Sequence, residues 1–572
     1  MPQDEKSKNI PINLIRSFNF LREAVEDVYP DSGSSGTTVS NISNNDSVSG
    51  LAIRHPGIES QQPGWVLDSA EISAIKLYLE RTIAAFNFRS IPGLGTDNRS
   101  LYLEIEKLFY PPSFSDKRIG LIRPEKDDGP YSGASALSMG SVIQRYRKFL
   151  LLGQPGTGKT TFLLYQAVTH AQNLLTQLSD VSIPSPLQSN SAVVPGKFSK
   201  TSKTEVLLPI YISLREFGLY LKDNPAVSSA DTPAVLWNFI FSLPDCGSEG
   251  SFSKPGKYFD YFFSSGKAIL LLDGLDEVPE SPLRSRIAKI IQIFSKKYSA
   301  CRCIITTRPQ PASAFINPIS KFGTLEINPL HFTDAIKYAR CLLANGFQVA
   351  ESLGEPAFPL QISELVENFS KKLSSSYDMK MNTLTPASVI IQLIQNMNNK
   401  EIRGNSADLL DDVIQTLLEN TSTFTDVSEN SGAIDSARTL LRKILNSIAF
   451  WLHQHNKYEF SISDIPSIMS INAKDSLVSS VPHSEITAIL TDYLNRQTGL
   501  FLYKPAQKIK FVWRSIQEFL AAEFVLQKED STSFTRKCLP SLWWFPVIKY
   551  QVHFIKQYPP HRLSEFIEIF LD

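Results

Sequence analysis

The sequence predicts an α/β protein built on a parallel sheet with helices on both faces, and three observations predict it. Apolar runs of strand length alternate with stretches of helical periodicity between Phe149 and Ile327, the pattern of a parallel sheet wrapped by crossover helices. A glycine-rich turn, Gly153-Gln154-Pro155-Gly156-Thr157-Gly158-Lys159-Thr160-Thr161, joins the run Phe149 to Leu152 to the helical stretch after it. A further apolar run, Ala268 to Leu272, delivers a carboxylate, Asp273, at its C-terminal end, where parallel sheets present ligands.

The turn carries the most specific chemistry. Gly153-x4-Gly158-Lys159-Thr160 fits the P-loop pattern at every fixed position. Glycines let successive backbone N–H groups converge on phosphate oxygens, and a helix starting near Lys159 points its positive end at the same anion. Lys159 is expected to reach the β- and γ-phosphates, and Thr160 to complete a Mg²⁺ shell. Asp273 is expected to hold that Mg²⁺ through water, while Asp276 and Glu277 orient and deprotonate the attacking water. The run Ile304-Ile305-Thr306-Thr307-Arg308 puts Arg308 at the tip of the next strand, to sense the γ-phosphate or stabilise transferring charge.

Taken in order, residues 13–29 place Leu14, Ile15, Phe18, Leu21, Val25 and Val28 at helical spacing before Pro30. A Ser/Gly/Asn tract over 31–47 follows, too polar to order itself. A second helix runs from Asp68-Ser69 through Ile72, Ile75, Leu79, Ile83 and Phe86 to Pro92-Gly93. After the P-loop helix, residues 181–204 are rich in Pro, Ser and Lys and read as a surface insertion. Strands are expected at Val206 to Ile212, Lys267 to Asp273, Arg302 to Thr307 and Gly323 to Ile327. Helices are expected at Ala234 to Leu243, Tyr258 to Phe263 and Leu283 to Tyr298. Leu539 to Ile555, interrupted by Lys549 and Gln551, suits a packed element and not a membrane span.

Composition narrows the partners. The 572 residues exceed what one core sustains, giving an expectation of roughly three or four folded units. Lys+Arg 57 balances Asp+Glu 57, so no global field draws the chain to nucleic acid or to an acidic membrane. Five scattered cysteines fit neither a disulfide framework nor a zinc site and suit a reducing compartment, and Met1 to Asn9 is no secretory signal, so a cytoplasmic protein is expected. Asn456-Lys457-Tyr458-Glu459 lacks the Asp of a guanine-reading motif, and His453 and His455, two apart on a helix, make no metal pair.

The P-loop, the Asp273-Gly274-Leu275-Asp276-Glu277 run and Arg308 together resemble the NACHT family of STAND nucleoside triphosphatases. Leu325-Glu-Ile-Asn-Pro-Leu330, with Ala335 and Tyr338 after it, resembles the start of that family's small helical subdomain. Thr383-Leu-Thr-Pro386 looks like its proline motif, which implies that Pro386 packs near the nucleotide base. Arg496-Gln-Thr-Gly499 and Phe511-Val-Trp513-Arg-Ser-Ile-Gln-Glu518 are similar to the end of its winged-helix domain, where Trp513 stands at the place of a histidine that touches the bound diphosphate.

The resemblance implies a P-loop NTPase sheet followed by a helical subdomain and a winged-helix domain. It divides the chain into an N-terminal helix and disordered linker (1–65), a lead-in segment (66–145), a nucleotide-binding domain (146–330), a helical subdomain (331–425), a winged-helix domain (426–530) and a truncated or short C-terminal helical region (531–572). It further implies a signalling switch that binds ATP or ADP with Mg²⁺, hydrolyses slowly, assembles into homo-oligomers on activation, and answers to unidentified trigger and effector proteins. A scaffold that keeps nucleotide without turnover is the alternative. A winged helix reading nucleic acid is disfavoured by the zero net charge.

Overall fold

A computed structural model describes residues 69–91, 94, 101–116, 136–180, 206–225, 231–243, 257–309, 322–352, 362–376, 384–398, 406–419, 431–472, 478, 481–482, 484–487, 489–490, 500–504, 508–528, 530–541, 543–555 and 560–571. The expected helix at 13–29, the tract at 31–47, the insertion at 181–204, Cys246, Thr383 and the stretch Arg496 to Gly499 lie outside them. Residues Ser73–Ser182 with Thr204–Asp572 form one compact unit; of a second, Met1–Ile72 with Ile183–Lys203, only residues 69–72 are described.

The chain enters through α1 (Ser69–Phe86), a hairpin of β1 (Phe88–Ile91) and β2 (Leu101–Glu104), and the single turn α2 (Ile105–Leu108). Then come β3 (Ser113–Asp116), β4 (Leu137–Ser138), α3 (Met139–Arg145), β5 (Lys148–Leu152) and α4 (Lys159–Asp180). The sheet continues with β6 (Leu208–Ser213), α5 (Leu214–Asp223), α6 (Pro233–Ser242), α7 (Lys257–Ser264), β7 (Ala268–Asp273), α8 (Ser281–Lys297), β8 (Arg302–Thr307) and β9 (Gly323–Ile327).

These strands lie in the order β4-β3-β9-β5-β8-β7-β6, with β9 to β6 parallel and β3 and β4 added antiparallel at one edge. The central strands are largely apolar between their ends because helices cover both faces: Phe149, Leu151, Ile269, Leu271 and Ile304 pack with Phe162, Leu163 and Ala167 of α4. On the other side Trp237, Phe263, Phe294 and Tyr298 form an edge-to-face cluster, and Trp237 Nε1 donates to Tyr298 Oη at 3.0 Å.

β7, β8 and β9 occupy the expected residues within one position, while β6 starts two residues late and ends on Ser213. The two antiparallel strands were not expected. They come from the segment read as a lead-in, and are four and two residues long; only Phe114 of β3 is fully buried, so no apolar run announces them.

Downstream, α9 (Phe332–Ser352), α10 (Ile362–Ser376) and α11 (Pro386–Met397) form a helical layer, to whose core the hairpin adds Leu101 and Leu103, while α12 (Ser406–Glu419) packs its apolar face into the core that follows. A last core gathers α13 (Ser431–Gln454), β10 (Glu459–Phe460), α14 (Ile465–Met469), β11 (Phe501–Lys504), β12 (Lys508–Phe511), α15 (Arg514–Leu526), α16 (Ser531–Cys538), α17 (Phe545–Ile555) and α18 (Pro560–Leu571), with the three strands in the order β10-β12-β11. Helix α15 buries an apolar stripe: Ile516, Phe519 and Leu520 at 0% exposure and Phe524 at 7%. No helix among the described residues is long and apolar enough to cross a membrane, and the four described cysteines are free.

Candidate functional site: a phosphate cradle under a docked helix

The cradle follows from the backbone of the turn between β5 and α4. Gly156 and Gly158 sit at φ +78° and +89°, which residues with a Cβ rarely adopt. Both bends turn the loop back over the N-terminus of α4, whose first-turn N–H groups have no partners inside the helix. Lys159 Nζ donates to the Gly153 carbonyl at 2.5 Å and to that of Gln154 at 3.1 Å. Burial lowers its pKa to about 8, although Asp276, Asp273 and Glu277 pull it upward.

Across the sheet, β8 lies between β5 and β7 and brings Thr306 to the strand-end carboxylate. Asp273 Oδ1 accepts from Thr306 Oγ1 at 2.5 Å, and Oδ2 accepts from Thr160 Oγ1 at 2.8 Å and from Tyr211 Oη at 2.9 Å. The loop hydroxyl and the strand carboxylate thus meet, as a shared Mg²⁺ shell requires. The fold is that of a P-loop nucleoside triphosphatase.

No protein-family model matches the chain, and no curated protein does. Among solved structures it is similar to a RuvB variant of Thermotoga maritima (13% identity, 64% of this chain and 84% of that one, TM-score 0.22). It is also similar to Cdc6p of Pyrobaculum aerophilum (13%, 67% and 91%, TM-score 0.23) and to the Aeropyrum pernix ORC2 protein solved as ADPNP-ADP complexes (10%, 71% and 98%, TM-score 0.25). At these TM-scores the site is understood from its own strand order and loop geometry.

The P-loop residues fit a nucleotide triphosphate with Mg²⁺. No trio of His, Cys, Asp or Glu able to hold a metal occurs among the described residues, so a metal here would rest on Thr160, Asp273 and the phosphates themselves. Pro386 lies at the loop: a Cβ on Gly158 would stand 3.9 Å from its Cγ, and one on Gly156 only 2.8 Å from the Ala387 Cβ. The Ala387 N–H donates to the Gly156 carbonyl at 3.2 Å, so the N-terminus of α11, capped by Thr385, rests on the tip of the P-loop. Trp513, by contrast, packs among apolar side chains of both helical cores.

Asp276, Glu277 and Arg308 come together, but in company the sequence did not disclose. Arg308 Nε contacts Asp276 Oδ2 at 3.1 Å and Arg308 Nη2 donates to Glu518 Oε1 of α15 at 2.9 Å. Arg514, at the start of α15, reaches Glu518 at 2.9 Å, Asp276 at 3.4 Å and Glu277 at 3.7 Å. Its guanidinium lies 4.8 Å from the Trp543 ring and 5.0 Å from that of Tyr458. Arg215 stacks on Tyr458 at 4.1 Å and donates to the Asn456 carbonyl at 2.9 Å.

The charges follow from this packing. Burial works to raise the Asp276 pKa, but Arg308, Arg514 and Lys159 outweigh it and hold the carboxyl below its usual range. Desolvation pushes Glu277 up to about 7 against the pull of Arg514, with Asp276 and Asp273 adding to the rise. Its neighbourhood is crowded, yet 36% of its side-chain surface still meets solvent.

Thr306, Tyr211, Arg514, Glu518 and Tyr458 are the site residues that motif reading passed over. Arg514 and Glu518 stood inside the run whose resemblance to the end of a winged-helix domain was read for Trp513. Their spacing, i and i+4 on one helix face, was the available signal.

Proposed function

We propose that this chain is a nucleotide-operated signalling switch of the NACHT and STAND type, drawn in its closed form. One observation carries the reading: helix α15 sets Glu518 and Arg514 on the arginine and the acid that would meet the γ-phosphate and the attacking water. While α15 is docked, Asp276 is tied to two arginines and Arg308 to two carboxylates. Neither is free to act on a substrate.

The loop N–H groups and Lys159 bind the phosphates, and Pro386 at the head of α11 closes over the cradle. Mg²⁺ held by Thr160 and Asp273 would supply neutralisation of phosphate charge. Glu277, nearly neutral in pKa and partly open to solvent, orients and deprotonates the attacking water once α15 leaves. Arg308, released from Glu518, then turns to the γ-phosphate. Exchange of ADP for ATP drives that release, domain opening and assembly of homo-oligomers, and slow hydrolysis resets the switch.

The test is to purify the protein without added nucleotide, denature it, and identify what is released, alongside Lys159→Ala. Stoichiometric ADP from wild type and none from the variant is the expected result. An empty wild-type protein would remove the closed-switch reading. The same tied Asp276 favours, as a second reading, a scaffold that holds nucleotide without turnover; multiple-turnover phosphate release lost in Glu277→Gln would dismiss it.

A further inference from the structure

The Asp273 carboxylate is held by three hydroxyls that differ in what else they can do. Thr160 is exposed in the first turn of α4, where its oxygen is the one that Mg²⁺ would take. Thr306 is fully buried and anchors Oδ1 while accepting the Gly274 N–H at 2.8 Å. Tyr211 belongs to no motif. It carries the only polar side-chain atom in the run Leu207 to Ile212, and that hydroxyl donates to Asp273 Oδ2 at 2.9 Å.

The register of the sheet explains the reach. β6 pairs with β7 so that Tyr211 lies opposite Leu271 and Ser213 opposite Asp273. Side chains at i and i+2 share a face, so Tyr211 and Asp273 stand on one face of the sheet, two residues apart along the ladder, and the long phenol spans that step. Its ring is clamped. The Phe86 ring of α1 packs against it with 5.0 Å between centroids, in a cluster that takes in Leu164 and Val168 of the P-loop helix α4. Helix α1 is itself tied to β6 by Tyr78 Oη, which donates to the Pro209 carbonyl at 2.8 Å. Burial and the neighbouring Asp273 raise the Tyr211 pKa well above that of an ordinary phenol, so the hydroxyl keeps its proton and remains a donor.

We propose that Tyr211 is a positioning residue of the nucleotide site, whose hydroxyl holds the Asp273 carboxylate aimed at Thr160 so that both are set before Mg²⁺ arrives with the nucleotide. This rests on the P-loop binding ATP with Mg²⁺, as proposed above. The last torsion of an aspartate side chain is broad. Thr306 on one oxygen and Tyr211 on the other fix the plane of the carboxylate, and Thr160 can then turn its oxygen to a metal without the carboxylate losing its aim. Ordering the group beforehand removes that entropy loss from the binding step. The clamp on the ring comes from α1, so a helix upstream of every P-loop residue helps to set the metal arm.

The experiment measures binding of ribose-labelled fluorescent ATP by anisotropy, in Mg²⁺ and in EDTA, on the full chain. Tyr211→Phe keeps the ring against Phe86 and removes only the hydroxyl. It should lower the ratio of the two affinities (Mg²⁺ over EDTA) by about threefold to tenfold, with the affinity in EDTA close to wild type. Phe86→Ala, which loosens the clamp from outside the site, should move the ratio in the same direction by less. In an Asp273→Ala background, Tyr211→Phe should leave the ratio where Asp273→Ala alone puts it, because the hydroxyl then has no carboxylate to hold. A merely structural Tyr211 would weaken both affinities alike and leave the ratio unmoved; that result, or an undiminished effect without Asp273, overturns the role of Tyr211 alone. Wild type that binds no labelled ATP in either buffer overturns the nucleotide reading and this one with it.

Discussion

Lys159 carries a testable pH signature. Without an anion its ammonium is desolvated and loses its proton as pH rises through about 8; with phosphate seated, the proton is retained. Nucleotide affinity should hold below pH 8 and fall above it, with proton uptake on binding that calorimetry in buffers of different ionisation enthalpy will register. Lys159→Ala should show no uptake and lose most affinity. Glu277 has the opposite sense: it acts as a base only when deprotonated, and with burial holding its pKa up at about 7 in the closed form, phosphate release should climb with pH as it loses its proton. A flat profile between pH 6 and 8 would assign the role elsewhere. The P-loop residues and Asp273 were legible because their spacing is set by contacts across one short loop and one strand end. Glu518 was not, because its partner Arg308 lies 210 residues away and ion pairs leave no periodicity in the chain.

Among elements, α15 and α11 act on the cradle from opposite ends of the downstream chain. Glu518 is 1% exposed against an Arg308 at 13%, and removing one partner of such a pair leaves the other charge buried. Glu518→Ala should therefore cost about 3–5 kcal/mol of closed-state stability, read by thermal melting, and should speed release of bound nucleotide. Unaltered release would mean that α15 does not hold the closed state. Gly156→Ala tests α11: beyond a cost of about 1–2 kcal/mol for the left-handed backbone, the new Cβ would stand 2.8 Å from Ala387 and lift the helix off the loop. Nucleotide affinity should fall with stability. The helices themselves were read from apolar stripes and caps. The contact of Ala387 with Gly156 was invisible, since it depends on an absent Cβ meeting a helix over 200 residues downstream.

For the whole molecule, the order of layers followed from alternating strands and helices, whereas β3 and β4 escaped because edge strands of four and two residues leave almost no pattern. If ATP undocks α15, solution scattering should show a larger radius of gyration with ATP than with ADP, and no difference in Lys159→Ala. Trp543 offers a way to watch this without a label. Trp543 is 1% exposed; its indole donates through Nε1 to the His453 carbonyl at 2.9 Å and its backbone carbonyl accepts from His453 Nε2 at 3.0 Å, so it is pinned to α13. Arg514 lies 4.8 Å from the same ring but answers to Asp276 and Glu277 as well. A pinned fluorophore beside a charge of the proposed switch is an optical reporter: when the guanidinium moves, the emission of Trp543 should move with it.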